Sequence, residues 1–281
     1  MSSLLPATSR HVPAAMTIAG SDSGAGAGIQ ADLKTFAAHG VYGTSVITAV
    51  TAQNTLGVRS FTALDPALVA DQIDAVMEDI RPAAAKTGML ATAGIVRAIV
   101  AALERYPNLP LVIDPVTHAK SGDALIDDEA LAVLRDELIP RAALVTPNLP
   151  EAAALTGLRV ESTDDMRRAG EALLALGAGA VVVKGGHLAS RADDLFLDGE
   201  RAEWLRAPRV ITRCTHGTGC TFSAAIAANL ALGLPLFEAI VAAKTYLTDA
   251  LLAGYEVGDG HSPVDHFHAG TRFPANERIT A

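Results

Sequence analysis

The sequence predicts an α/β protein with a mainly parallel central sheet covered on both faces, and three observations predict it. Six β-rich apolar runs recur along the chain, at residues 15–20, 45–52, 83–90, 111–116, 143–148 and 180–186, each hydrophobic on both faces as in strands buried between two layers. Amphipathic stretches such as GIQADLKTFAAHG and LVADQIDAVMEDI separate them, the alternation that builds βαβ units. A chain of 281 residues, 50% hydrophobic and 19% charged, suits one sizeable core.

The elements follow in order. AMTIAG (15–20) opens the sheet and runs into the glycine-rich GSDSGAGAGIQAD, which leads into a helix. SVITAVTA (45–52) ends in QNT, AAAKTGML (83–90) comes next, and LVIDPV (111–116) carries Asp114 at its end. ALVTPN (143–148) precedes Leu-Pro-Glu151, and AVVVKGG (180–186) carries Lys184. Residues 193–210 break the rhythm and read as a β-hairpin turned at Asp198-Gly199. The apolar stretch 223–254 is interrupted by Asn229, by GLP at 233–235 and by Glu238, so it reads as two core helices and not as a membrane span. Residues 14–270 are expected to form a single domain between tails at 1–13 and 271–281.

Charge and cysteine usage exclude several classes of function. A net charge of -9 with 4% aromatics gives no basic, stacking surface, which argues against nucleic acid and anionic membranes as partners. Cys214 and Cys220 lie in one motif and do not make a disulfide framework, which fits a reducing compartment. The first fifteen residues lack a signal-peptide pattern, so a cytoplasmic location is expected.

In open parallel sheets, ligands sit beyond the carboxyl ends of the strands. Polar or ionisable groups follow nearly every predicted strand. GAGIQA satisfies the dinucleotide pattern G-x-G-x-x-A, yet SVITAVTAQNTLGVRS lacks the acid that the fingerprint requires, and no P-loop motif is present. That stretch reads either as a flexible strand-to-helix turn or, with Asp32 in the helix behind it, as a ligand contact. THGTGCTFSAAIAA reads as an anion cradle, with Gly217 and Gly219 allowing a tight turn into an alanine-rich helix whose first N–H groups are unpaired. Cys220 there has two readings: a thiolate stabilised by the helix dipole and acting as a base, or a small hydrophobe closing the helix start.

These segments, with KTGML, AKSGDALI, TPNLPEAAALTG and VVVKGGH, resemble the hydroxymethylpyrimidine/phosphomethylpyrimidine kinases of the ribokinase-like superfamily over residues 16–268. The resemblance implies a three-layer α/β/α ribokinase-like fold and a homodimer. It implies transfer from ATP, with Mg²⁺, to 4-amino-5-hydroxymethyl-2-methylpyrimidine and then to its monophosphate. By position, Cys220 resembles the catalytic base, and Gly217, Thr218 and Gly219 the anion hole. Gly20, Asp32, Gln53 and Met89 match substrate-pocket positions, and the Gln53 amide offers a donor and an acceptor to an aminopyrimidine edge. Lys184, Lys244 and Thr215 fall at nucleotide positions, and Asp114 and Glu151 at the metal.

The family often has asparagine in place of Cys214 and a hydrophobic pair in place of Thr117-His118. Cys214 therefore reads as a strand-end residue without chemistry, and His118 as a solvated loop side chain. The histidines of HSPVDHFHAG (His261, His266, His268) suggest a metal by proximity, whereas packing is the simpler reading. Two other functions fit the same residues: a pyridoxal or pyridoxine kinase of the same fold, and a silent nucleotide-binding protein that keeps only the fold.

Overall fold

A computed structural model describes residues 11–119, 122, 125–186 and 192–270. Its spine is one sheet in the order β3-β2-β1-β4-β5-β6-β7-β8-β9. The six predicted strands are β1 (Ala14–Ser21), β2 (Tyr42–Asn54), β4 (Ala84–Thr87), β5 (Leu111–Ile113), β6 (Leu144–Val145) and β7 (Val181–Val183). All six run parallel to one another. Their side chains are buried on both faces in the four strands from β4 to β7, as expected of a sheet between two helical layers.

The hairpin foreseen at 193–210 is β8 (Asp194–Leu197) against β9 (Ala202–Leu205), antiparallel at one edge. The other edge departs from the sequence reading. After Gln53 the chain turns at once into β3 (Gly57–Ala63), antiparallel to β2. Most of β3 is exposed, so GVRSFTA lacks the continuous apolar run that marked the other strands.

Two layers cover the sheet. One holds α2 (Pro66–Asp79), α3 (Ala93–Leu103), α4 (Asp128–Val133), α5 (Leu149–Thr156) and α6 (Thr163–Ala175), packed through Ile73, Ile95, Leu155, Met166 and Leu173. The other holds α1 (Gly28–Ala38), α7 (Thr218–Ala231) and α8 (Leu236–Leu252), packed through Phe36, Phe222, Ile226 and Ile240. The two helices α7 and α8 are those read from 223–254. Local signals set the helix starts: Asp65 caps α2 with Pro66 in its first turn, and Asn148 forms a reciprocal capping box with Glu151 in α5. Among the described residues no helix is long and apolar enough to cross a membrane.

Candidate active site

The chemistry-bearing residues gather where the fold class places them, at the carboxyl ends of the parallel strands. Gly217 caps α7 in the left-handed conformation (φ 74°), and its lack of a side chain is required by contact. A Cβ there would lie 1.9 Å from the Gly26 carbonyl oxygen, and one on Gly26 would lie 2.1 Å from the His216 ring. The two glycine-rich segments therefore pack directly together, and the first N–H groups of α7 have no side-chain cap.

Beside that helix start stands a charged cluster. Lys184, just beyond β7, bonds Asp114 beyond β5 at 2.8 Å and lies 3.9 Å from Glu151 in the first turn of α5. A Cβ on Gly219 would sit 3.3 Å from both the Asp114 carboxylate and the Lys184 ammonium, so the backbone of the cradle touches the cluster. Burial pushes the Glu151 carboxyl up to about 7; Lys184 opposes this and Asp114 adds to it. Lys184 is raised despite its burial, because Asp114 and Glu151 hold its charge. Asp114, Glu151 and Lys184, remote from one another in sequence, thus lie together against the turn formed by Gly217, Thr218, Gly219 and Cys220.

Cys220 lies in the first turn of α7, half-buried, with the Gly28 backbone amide at the start of α1 among the groups that bear on its thiol. The thiol is not acid-shifted as the helix dipole alone predicts. Burial pushes it up to about 12, with Asp32 and Asp114 adding to the effect, while Lys86 and the Gly28 amide pull the other way.

On the β1–β2 side, Gly20 and Met89 are neighbours: a Cβ on Gly20 would lie 3.0 Å from the Met89 sulfur. Gln53, near the end of β2, exchanges backbone bonds with the Ser23 hydroxyl and accepts from Thr51 at 3.2 Å through its side chain. Its amide nitrogen is 3.5 Å from His216 Nε2.

Two predicted contacts are placed differently. Asp32 is fully enclosed and does not line the cleft: it accepts from Thr17 at 2.6 Å and pairs with Lys86 at 3.0 Å. Lys244 donates to the Ala192 carbonyl and to Asp194, both at 2.7 Å, and Asp194 in turn accepts from the Gly185 N–H. Its ammonium is thus engaged by Ala192 and Asp194, one step behind Lys184. Thr215 lies 3.4 Å from His261 on the flank of the cradle.

Three residues escaped the sequence reading. Asp22 accepts from the N–H groups of Gly24, Gly26 and Ala27 and bonds His216 Nε2 at 2.9 Å, tying one glycine-rich loop to the other. Lys86 is fully buried within KTGML. An aspartate heading a glycine run and a lysine inside an apolar strand were the available signals. Cys214 is buried with its sulfur toward the Tyr255 carbonyl, in a segment that forms no strand and so not at a strand end as expected, and His118 is exposed. Of the tail histidines, His266 and His268 pack, His266 bonding Thr221 at 3.2 Å and the His268 ring lying 5.0 Å from Tyr246, whereas His261 is exposed.

A family model described as phosphomethylpyrimidine kinase matches residues 22–265. The hydroxymethylpyrimidine/phosphomethylpyrimidine kinase of Rhizobium meliloti (strain 1021) is 53% identical over 258 residues, covering 90% of this chain and 97% of that protein. Among solved structures, the phosphomethylpyrimidine kinase of Clostridium difficile 630 aligns with a TM-score of 0.76 at 46% identity, over 86% of this chain and 100% of that one. The pyridoxal kinase of Staphylococcus aureus, in complex with AMP-PCP and pyridoxal, aligns with a TM-score of 0.84 at 35% identity, over 92% of this chain and 95% of that one.

Proposed function

The chain belongs to the phosphomethylpyrimidine kinase family, and from that premise we propose that it transfers the γ-phosphoryl group of ATP to the hydroxymethyl oxygen of 4-amino-5-hydroxymethyl-2-methylpyrimidine and then phosphorylates the monophosphate. The observation that carries this reading is the contact between the amino end of α7 and the Asp114–Glu151–Lys184 cluster, with a thiol one residue further on. Phosphoryl transfer needs positioning and charge neutralisation more than covalent help. The free N–H groups of 218–220 bind the oxygens of the transferring group, and Lys184 steadies them from the side. Cys220 receives the hydroxyl proton.

The donor set fits a magnesium ion. Mg²⁺ is commonly held by one or two carboxylates plus substrate phosphates, and two are present, in Asp114 and Glu151. Among the described residues no group of three His, Cys, Asp or Glu side chains converges, so a fuller protein cage is not part of the proposal. When bound, the ion would neutralise the phosphate oxygens. Asp114 and Glu151 would hold it, and Lys184 bridges the two carboxylates.

Gln53 is proposed to read the aminopyrimidine edge, with Gly20 and Met89 forming the floor beside it. The homodimer, the cytoplasmic location and the single domain over 14–270 belong to the same proposal. ADP release measured against a panel of hydroxymethyl heterocycles, pyridoxal included, tests the substrate. Preference for pyridoxal would overturn it. Cys220→Ala should lower turnover by roughly 10²- to 10⁴-fold while nucleotide binding persists, and Cys220→Asp should recover part of the loss. Full turnover by the alanine variant would remove Cys220 from the chemistry.

A further inference from the structure

The bond between His216 and Asp22 joins the two glycine-rich segments, and the site described above leaves it without a chemical role. Its surroundings hold both side chains still. The Asp22 carboxylate is buried and accepts from the N–H groups of Gly24 at 2.7 Å, Gly26 at 3.0 Å and Ala27 at 2.9 Å. The His216 ring is pressed against Gly26, where a Cβ would lie 2.1 Å away, and the His216 backbone N–H bonds the Ser262 carbonyl at 3.0 Å. The same Nε2 that meets Asp22 also meets the Gln53 amide, one end of which lies 3.5 Å from it and the other 3.2 Å from the Thr51 hydroxyl. His216 and Gln53 line one small cleft with Ala119 and His261.

The two ends of an amide fill nearly the same space, so protons and not shape decide which end meets the ring. Asp22 is held ionised: burial pushes its carboxyl up, and the bonds from His216 and the loop amides more than offset this. A ring nitrogen 2.9 Å from that carboxylate carries a proton toward it. His216 Nε2 is thus a donor and offers Gln53 no lone pair. The single Thr51 proton reaches the Ser21 carbonyl at 3.0 Å, which leaves the hydroxyl oxygen free to accept. Both neighbours therefore favour the amide oxygen toward His216 and the nitrogen toward Thr51, a half-turn about the last side-chain bond from the arrangement given above. We propose that His216, held by Asp22, is a positioning residue for Gln53: it fixes the direction of the amide and so lets the site tell a 4-aminopyrimidine from a 4-oxopyrimidine. The proposal rests on the reading of Gln53 as the group that faces the pyrimidine.

Direction matters because the two ring edges are opposites. On the 4-amino ring N3 accepts and the exocyclic amine donates; on the 4-oxo ring N3–H donates and the exocyclic oxygen accepts. An amide can pair with either edge, but only by exchanging its ends. With one lone pair of the Gln53 oxygen turned to His216 and one N–H turned to Thr51, an acceptor and a donor remain for the substrate in fixed order. The wrong edge then sets donor against donor and acceptor against acceptor, and buried groups left unpaired in this way give a site its discrimination. Freed from His216, the amide turns over and serves either edge.

The ratio of kcat/KM for 4-amino-5-hydroxymethyl-2-methylpyrimidine to that for its 4-oxo counterpart, read by ADP release, tests this. The parent should favour the amine by at least about a hundredfold. His216→Phe keeps a ring against Gly26 and removes the donor, and it should shrink the ratio about tenfold or more. His216→Gln can place an amide N–H where Nε2 stood and should hold the ratio within about threefold of the parent. If packing alone mattered, phenylalanine would keep the ratio at least as well as glutamine, so that order overturns the proposal, as does a parent ratio under about tenfold. Where His216→Phe does not fold, His216→Asn replaces it: its amide ends near the place of Nδ1, and the ratio should again shrink about tenfold. A parent that turns over the amine with a ratio indifferent to His216 overturns this proposal alone. A parent that prefers pyridoxal to both pyrimidines overturns the substrate reading, and this one with it.

Discussion

Two lysines of the parallel sheet are paired with acids, Lys86 on β4 with one carboxylate and Lys184 beyond β7 with two. The first pair is sealed, both side chains at 0% exposure, whereas Lys184 retains 16%. The sealed pair is balanced in charge. In the second, one ammonium faces two carboxylates, and burial, with the Asp114 charge adding to it, raises Glu151 to about 7. The difference teaches that burial and charge balance assign roles where residue types do not: a closed, balanced pair can act only through its field, and an open, unbalanced cluster invites a cation.

The largest effect is expected from breaking the sealed pair. Lys86→Met leaves Asp32 buried without its counter-charge and should cost about 3–5 kcal/mol in denaturant unfolding. Removing both charges with Lys86→Met/Asp32→Leu should bring stability back to within about 1 kcal/mol of the parent, since the desolvation cost leaves with the attraction. A double variant as unstable as the single one would mean that the pair is a stabilising bond in its own right.

The open cluster should respond with the opposite sign. Glu151 sits above its ordinary 4.5, at about 7, so the folded state holds a proton that the unfolded state has released. Its contribution to stability is intact below 4.5 and is lost as the pH rises through about 7. Glu151→Gln keeps the capping box, because glutamine can also accept from the Asn148 N–H. It should therefore stabilise the metal-free protein at pH 8, on the order of 2 kcal/mol, and leave it unchanged near pH 4.5. The same variant should need more Mg²⁺ for activity. Melting curves at the two pH values and a Mg²⁺ titration check both halves.

His266 is a buried titratable group with a neutral partner, and it sharpens the comparison at a smaller scale. Its ring bonds Thr221, the residue after Cys220, and burial lowers it from 6.5 to about 4. The folded state prefers the neutral ring, so stability is full above pH 6.5 and falls as the pH drops toward 4. Between pH 7 and 4.5 the parent should lose about 1–2 kcal/mol more than His266→Gln. Equal acid sensitivity would place the titration elsewhere.

Much of this arrangement was legible in the sequence. The six parallel strands were marked by apolar runs, and the cluster by an ionisable residue at each strand end, because a sheet covered on both faces leaves polar chemistry only its edges. β3 was missed because an exposed edge strand needs no apolar run. Asp32 was taken for a ligand contact because an acid in the first helix signals chemistry, while the lysine that neutralises it comes from a strand 54 residues away. For Lys244 the partner was again remote, Asp194 on β8. A charge announces itself in sequence; what it pairs with is decided by the fold.

The smallest effect belongs to a third cluster built from the same parts. Arg97 on α3 bonds Glu129 and Glu137, one cation between two carboxylates, as Lys184 lies between Asp114 and Glu151. Here the arginine side chain is 52% exposed and the glutamates 70% and 42%. Water already solvates each charge, and the pairing in high dielectric is offset by the entropy of holding long side chains. Arg97→Ala should leave the melting temperature unchanged within experimental error, both at low salt and at 1 M NaCl, where exposed pairs are screened. A clear loss at low salt that disappears at high salt would show that surplus charge alone, without burial, organises such clusters. The contrast between the two lysine clusters would then rest on charge count and not on the water they exclude.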